Sequence, residues 1–323
     1  MDRTGPTSDA SLAHAQSRVT GRPETALRIS RLRALRRANW TGWLLVAPAL
    51  IVYVVFVLQP LVLTVQYSLY RWDGIGASHW VGLKNYVTVL TDPDLLQIIS
   101  NAFQLILFFC VISVGLGLVV ASLIRRIVTG PVGTAARTVL FLPQVIPLVA
   151  AGIAWSWVLA LPGVVNQLLT AIGLGGVTRA WLGDFGTALP AVGLIGVWVL
   201  LGLCTVLLLT GMSKIDPALY ESARIDGSGP IQEFWAITVP SLRNEIAVCI
   251  TITAIAALAS FDIVYISTGG GPGLATMVPG LEIYQLAFVG QQVGLASALA
   301  VVLVILVLLV VLPIQRMTGG EPL

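Results

Sequence analysis

The sequence predicts an all-α polytopic membrane protein with six spanning helices. Three observations predict it: an excess of apolar residues, a shortage of charge, and six long runs with no charge at all. Of 323 residues, 57% are hydrophobic and only 10% are charged. A soluble domain carries about 25% charged residues, so 18 Lys+Arg and 15 Asp+Glu cannot cover a water-facing surface of this size. That excludes a soluble enzyme of one or two domains. Disorder is excluded as well, because it requires low hydrophobicity.

The charge-free runs are Ala38 to Tyr70, Leu95 to Ile124, Thr138 to Thr178, Phe185 to Ser213, Ile246 to Phe261 and Ile283 to Gln315. A spanning helix needs about 20 apolar residues to cross a hydrocarbon core of roughly 30 Å. Trimming each run at its Pro, Gly and polar margins places helices near 43–67, 98–124, 138–160, 189–211, 246–268 and 294–315. Leu161-Pro162-Gly163 breaks the third run, and Gly173, Gly175 and Gly176 weaken its second part, so the remainder reads as a re-entrant or surface segment. Nothing supports strands, since barrel segments alternate apolar with polar residues and these runs do not. Residues 1–39 read as a disordered, basic leader, 40–316 as the transmembrane domain, and 317–323 as a tail. The first apolar run is too long and starts too late for a cleaved signal peptide.

Basic residues set the orientation. Residues 1–42 hold eight arginines, including Arg28, Arg31, Arg33, Arg36 and Arg37. Arg125, Arg126, Arg137, Lys214, Arg224, Arg243 and Arg316 fall on the same side, against only Arg71, Lys84 and Arg179 on the other. The positive-inside bias puts both termini in the cytoplasm, and an even number of spans requires the same. The basic arm is placed to lie against anionic lipid, and no nucleic-acid partner is expected.

Equipment for catalysis or ion coupling is missing. A phosphate-binding loop needs Lys directly after Gly, whereas Lys84 follows Leu83 and Lys214 follows Ser213. Cys110, Cys204 and Cys249 lie in separate apolar runs and the two histidines sit far apart, which offers neither a disulfide framework nor a metal cluster. Ion-coupled carriers keep ionisable groups at mid-membrane depth. Here Asp262 is the exception, placed late in the fifth span. The energy for any transport then comes from another chain.

The 212–245 loop is the most informative segment. Asp216-Pro217 starts a helix, because Asp caps free N–H groups and Pro fits the first turn. Ala218 to Asp226 reads as a short helix ended by Gly227, the residue that most readily takes the left-handed conformation. Pro230 opens a second short helix with Ile231, Phe234, Trp235 and Thr238 as a stripe along one face, before Pro240 starts the fifth span. Together they make a compact knob, with Ser222 and Ala223 small enough for close approach to a partner and Glu221, Arg224 and Asp226 at its rim. The spacing alone also fits a plain connector.

Glu221-Ser222-Ala223, Gly227 and Ile237-x-Val239-Pro240 resemble the EAA motif of permease subunits in binding-protein-dependent ABC importers; Ser222 and Val239 depart from the usual alanine and leucine. Ser260 to Pro272 resembles the fifth-span signature of the sugar-importer branch, as do Gly82 to Tyr86, Asn166, Tyr284, Ala287-Phe288 and Gly294 to Ala298. The resemblance covers roughly residues 40–316. It implies a type I importer fold in a bacterial plasma membrane. It also implies a second homologous permease, an ATPase dimer that uses ATP and Mg, and an extracytoplasmic substrate-binding protein, with no cofactor in this chain. Glu221, Ser222, Ala223, Asp226, Gly227, Ile237 and Pro240 become the ATPase-coupling residues. The cargo expected is a carbohydrate or polyol; a non-sugar solute, or an ion-coupled carrier, is the alternative.

For the substrate path, Trp155 or Trp157, Trp198, Ser260, Phe261, Asp262 and Tyr265 supply aromatic faces and polar groups at suitable depth, as sugar sites require. Helix packing and lipid-belt anchoring are the competing readings for each. Gly269, Gly270, Gly271 and Pro272 fit either a flexible turn or a loop facing the binding protein.

Overall fold

A computed structural model describes residues 42–127 and 130–317. The leader expected over 1–39, and all of the expected tail beyond Met317, lie outside the described residues. Two compact units divide the chain, Met1–Val62 and Leu63–Leu323. The first contributes the opening stretch of helix α1, Gly42–Tyr67, which is long and apolar enough to cross a membrane.

In the second unit α1 is followed by a hairpin of two-residue strands, β1 (Tyr70–Arg71) and β2 (His79–Trp80). The sequence gives no sign of this hairpin, because its pairing rests on a turn and not on alternation. The Asp73 carboxylate accepts the Ile75 and Gly76 N–H groups at 2.9 and 2.7 Å. The short helix α2 (Lys84–Thr91) leads to Asp92, whose side chain accepts from Asp94 N and Leu95 N ahead of Pro93. That cap starts α3, Pro93–Arg125.

The third apolar run is two helices and not the single one expected over 138–160. Helix α4 (Gly133–Val145) and α5 (Leu148–Val158) meet at 97°. Pro147 stands between them in an extended conformation; it has no N–H to continue a ladder and keeps the residue before it from helical geometry. The segment beyond forms α6 (Val164–Ala171), anchored by Asn166. Its amide donates to the carbonyls of Ala160, Leu161 and Arg179 while its oxygen accepts from the Trp181 indole.

Helix α7 (Ala188–Met212) is the packing centre, with 61% of its most apolar window buried. Its glycines admit direct contact. A Cβ at Gly193 or Gly196 would overlap the rings of Phe108 and Phe109 on α3, and one at Gly202 would overlap the Leu140 carbonyl on α4. Two short helices follow, α8 (Pro217–Ile225) and α9 (Pro230–Ser241), and α9 meets α10 (Arg243–Leu258) at 73°. Pro240 therefore lies in the last turn of α9, before the bend into α10.

The fifth span is also shorter than the expected 246–268. It ends at Leu258, passes through Ala259 to Phe261, and resumes as α11 (Asp262–Ser267). No proline or glycine causes this break. The Ser260 carbonyl lies against Gly280, where a Cβ would come within 2.9 Å. Helix α12 (Pro279–Tyr284) continues through a wide turn over Gln285–Val289 to α13, Val293–Arg316. Among the described residues, four single helices are long and apolar enough to span, and six spans result if each bent pair counts as one.

Two cores hold the second unit. Ile98, Leu105, Val192, Ile195, Val264, Leu281 and Leu299 form one. Val114, Cys204, Leu208, Met212, Tyr220, Leu242 and Cys249 form the other. The cysteines, separate in sequence, converge in part: Cys204 and Cys249 share the second core, and Cys110 accepts the Thr253 hydroxyl at 3.1 Å. All three are free and buried. Among the described residues no cluster suited to a metal ion forms.

Candidate functional site

The knob is built from local signals. The Asp216 side chain accepts from Ala218 N at 2.9 Å and Pro217 occupies the first turn of α8. At the other end Gly227 has φ +83. The Gly227 N–H reaches the Arg224 carbonyl at 3.1 Å, and the Ser228 N–H reaches that of Ala223 at 2.9 Å. These two bonds are the paired signature of a left-handed helix end, so α8 is stopped, and α9 aimed, by one residue.

Inside the knob, Glu233 is only 3% exposed and accepts from Arg224 Nε at 2.9 Å. This pair holds the Arg224 guanidinium above its ordinary pKa; Glu233 is the main cause and Glu221 adds to it. The Tyr220 hydroxyl lies 3.0 Å from the Thr238 hydroxyl, and the Arg125 guanidinium, at the end of α3, sits 4.1 Å above the Tyr220 ring. Tyr220 also belongs to the core it shares with Met212 and Leu242. The knob is therefore tied to α3 and α7 and is not a loose connector.

One expectation about its faces changes. The stripe Ile231, Phe234, Trp235, Thr238 divides: Ile231 is 78% and Trp235 65% exposed, while Glu233 and Thr238 are buried. A π-helical turn over Phe234–Thr238 rotates the helix away from the phase that regular spacing predicts. Arg224 is exposed at the rim, and from there its Nε bonds the buried Glu233. Glu221, Ser222, Asp226, Gly227 and Pro240 are exposed, and Ala223 and Ile237 half-buried. Leu219 and Ile225 join Ile231 and Trp235 as exposed apolar side chains, Ile225 at 86%. The knob thus presents apolar side chains beside the exposed Glu221 carboxylate.

The expected path residues come together in two groups. Trp155 packs edge-on against Trp198 at 5.6 Å, whereas Trp157 points away and is 73% exposed. Phe261 stacks on Tyr265 at 5.3 Å. Trp155 and Phe261 both border the first core. Ser260 is buried at the helix break and Asp262 is exposed in the first turn of α11. Tyr284 and Phe288 extend the second group, with Tyr284 at 5.8 Å from Phe261, 5.9 Å from Tyr265 and 5.4 Å from Phe288. Their four-residue spacing was the available signal for this extension.

The glycine loop is ordered by hydrogen bonds. Gly269 and Gly270 have φ +60 and +92. The Thr276 hydroxyl meets that of Thr268 at 2.7 Å and donates to the Gly271 carbonyl at 2.8 Å. Asn101, on α3, holds the far side by donating to the Leu274 and Met277 carbonyls, both at 2.9 Å. A bonded loop, and not a flexible turn, therefore leads into and out of Pro272.

Comparison with known proteins agrees with this architecture. The family described as "binding-protein-dependent transport system inner membrane component" matches residues 113–317. The probable ABC transporter permease protein YurN of Bacillus subtilis is 37% identical over 80% of this chain and 89% of its own length. The lactose transport system permease protein LacF of Rhizobium radiobacter is 33% identical over 80% of this chain and 87% of its own. The diacetylchitobiose uptake system permease protein NgcF of Streptomyces coelicolor is 31% identical over 84% and 81%. In fold, the chain is similar to a bacterial ABC transporter involved in import of the acidic polysaccharide alginate, with TM-score 0.75, 24% identity, and coverage of 89% of this chain and 98% of that one.

Proposed function

Because the chain belongs to the family of binding-protein-dependent transport system inner membrane components, we propose that it is the permease subunit of an ABC importer for a carbohydrate or related polyol. The observation that carries this reading is the knob: a sharply ended helix pair, anchored to α3 and α7, with Glu221, Ile225, Ile231 and Trp235 on the outside. Relatives named for lactose and diacetylchitobiose support the cargo class. The paired Trp155–Trp198 and stacked Phe261–Tyr265 rings suit the C–H faces of sugars.

In this reading the knob faces the cytoplasm, as the positive-inside bias requires, and docks into a partner ATPase that binds ATP and Mg. A second permease completes the pathway, and a substrate-binding protein delivers cargo from the opposite side. Closure of the ATPase pair moves the knob, and Tyr220 and Arg125 pass that movement to the spans. This chain catalyses no bond cleavage; it couples another chain's hydrolysis to a change of access.

The test is uptake of a labelled oligosaccharide into vesicles carrying this chain with its partner subunits. Uptake should require ATP and loaded binding protein and should persist when ion gradients are collapsed. Uptake that follows an ion gradient and ignores ATP would overturn the assignment.

A further inference from the structure

A cavity of about 820 Å³ lies between the end of α3 and the knob, bordered by Val119, Ser122, Leu123 and Arg125 on α3 and by Glu221 and Glu233 among others on the knob. Its lining changes character along its length. Val119 and Leu123 line it with apolar surface, and Leu116 continues their exposed face of α3 beyond it, 45–49% accessible each. A spanning helix turns such a face to acyl chains. The face leads to Ser122, whose buried hydroxyl has no hydrogen-bond partner, and to Arg125.

The charges there are unequal in their compensation. Arg224 is taken by Glu233 at 2.9 Å, and Glu221 also acts on it. Arg125 meets the Tyr220 ring and, among the described residues, no carboxylate within ion-pair distance. Trp235 stands exposed at the mouth. An apolar wall ending in a guanidinium with no ion pair and in an unpartnered hydroxyl suits an acidic phospholipid, with the Arg224–Glu233 pair and Glu221 on the opposite side.

We propose that this cavity holds an acidic phospholipid of the leaflet on the knob's side, its phosphate on Arg125 and Ser122 and one acyl chain along Leu116, Val119 and Leu123. The phosphate neutralises Arg125 where the hydrocarbon ends, and basic pockets at that depth favour anionic headgroups. Bound there, the lipid touches both α3 and the knob, so membrane composition acts on the joint between them. The site depends on the chain's spanning the membrane and not on the identity of the transported solute.

The test reads lipid and not transport. The assembled transporter is purified from phosphatidylcholine bilayers doped with phosphatidylglycerol, and the phosphatidylglycerol retained through detergent washing is quantified. Arg125→Met should lower retention about tenfold, the scale of one charge-assisted hydrogen bond. Arg125→Lys should keep most of it, Ser122→Leu should lower it, and Arg137→Met, outside the cavity, should leave it unchanged. Equal retention by wild type, Arg125→Met and Ser122→Leu overturns the proposal. So does displacement of the lipid by soluble glycerol phosphate, which would mark a site for free anions, or its loss on adding the ATPase subunit to the isolated chain, which would give the cavity to that partner.

Discussion

Replacing Gly227 with Val isolates the contribution of one backbone angle to coupling. An added Cβ at Gly227 meets nothing within 4 Å, so no clash enters the balance. The whole effect comes from φ +83, which an L-residue adopts at roughly 1–2 kcal/mol, with a β-branched residue at the upper end. About 2 kcal/mol lowers the equilibrium constant for the native turn roughly thirtyfold. The two bonds of the turn, Gly227 N to Arg224 O and Ser228 N to Ala223 O, loosen together, and α9 loses its direction relative to α8. Gly229 supplies the control: its φ is −80 and its surroundings are equally open, so Gly229→Ala should be silent. Gly227→Asn should fall between, since Asn tolerates the left-handed region. The assay pairs ATP-driven uptake by proteoliposomes with co-purification of the ATPase. Gly227→Val should depress both while insertion and permease pairing persist. Indistinguishable behaviour of Gly227→Val and Gly229→Ala would refute the reasoning, because the turn would then carry no load.

Three further outcomes follow from the same geometry. Glu221→Lys should reduce ATPase co-purification and salt should modify the loss, because in the proposed docking the exposed Glu221 carboxylate meets a basic partner residue. Asn101→Leu should destabilise the protein by roughly 2 kcal/mol, seen as a lower unfolding temperature in detergent, since the Leu274 and Met277 carbonyls lose their donor. Backbone donation from Ile75, and then Gly76, lowers the pKa of Asp73 below 3.8. A depressed carboxylate contributes stability above its unfolded value and loses it as pH falls through the folded one. The 73–76 turn should therefore hold from neutral pH until below 3.8, and Asp73→Asn should loosen it throughout, read from exchange of the Gly76 amide.

The parts legible in the sequence are those whose causes lie within a few residues. Asp216, Pro217 and Gly227 specify where α8 starts and stops, and the structure places cap, proline and positive φ where expected. Composition marks the apolar helices for the same reason, since a span needs only length and lack of charge. It does not mark their neighbours: α7 is apolar on every side, so no stripe shows that Trp198 meets Trp155. The Arg224–Glu233 pair, nine residues apart, depends on the rotational phase of α9, which the π-turn resets. The bend at Pro147 is written in the chain, whereas the break at Ala259 to Phe261 has no local signal and coincides with a close approach of the Ser260 carbonyl to Gly280.

The glycines of α7 limit where the molecule can bend. At Gly193, Gly196 and Gly202 the helix meets two rings and a carbonyl with no side chain between. Such close approach leaves the glycine side of each contact nothing to repack, so neighbouring helices resist slipping past one another. Flexure is displaced to places where the hydrogen-bond ladder is already interrupted: Ile146-Pro147, Leu242 and Ala259 to Phe261. These interruptions lie at the edges of the glycine-packed block and not within it. Under the proposed coupling, a push at the knob becomes rotation about a few joints, with the centre of the bundle serving as the fulcrum.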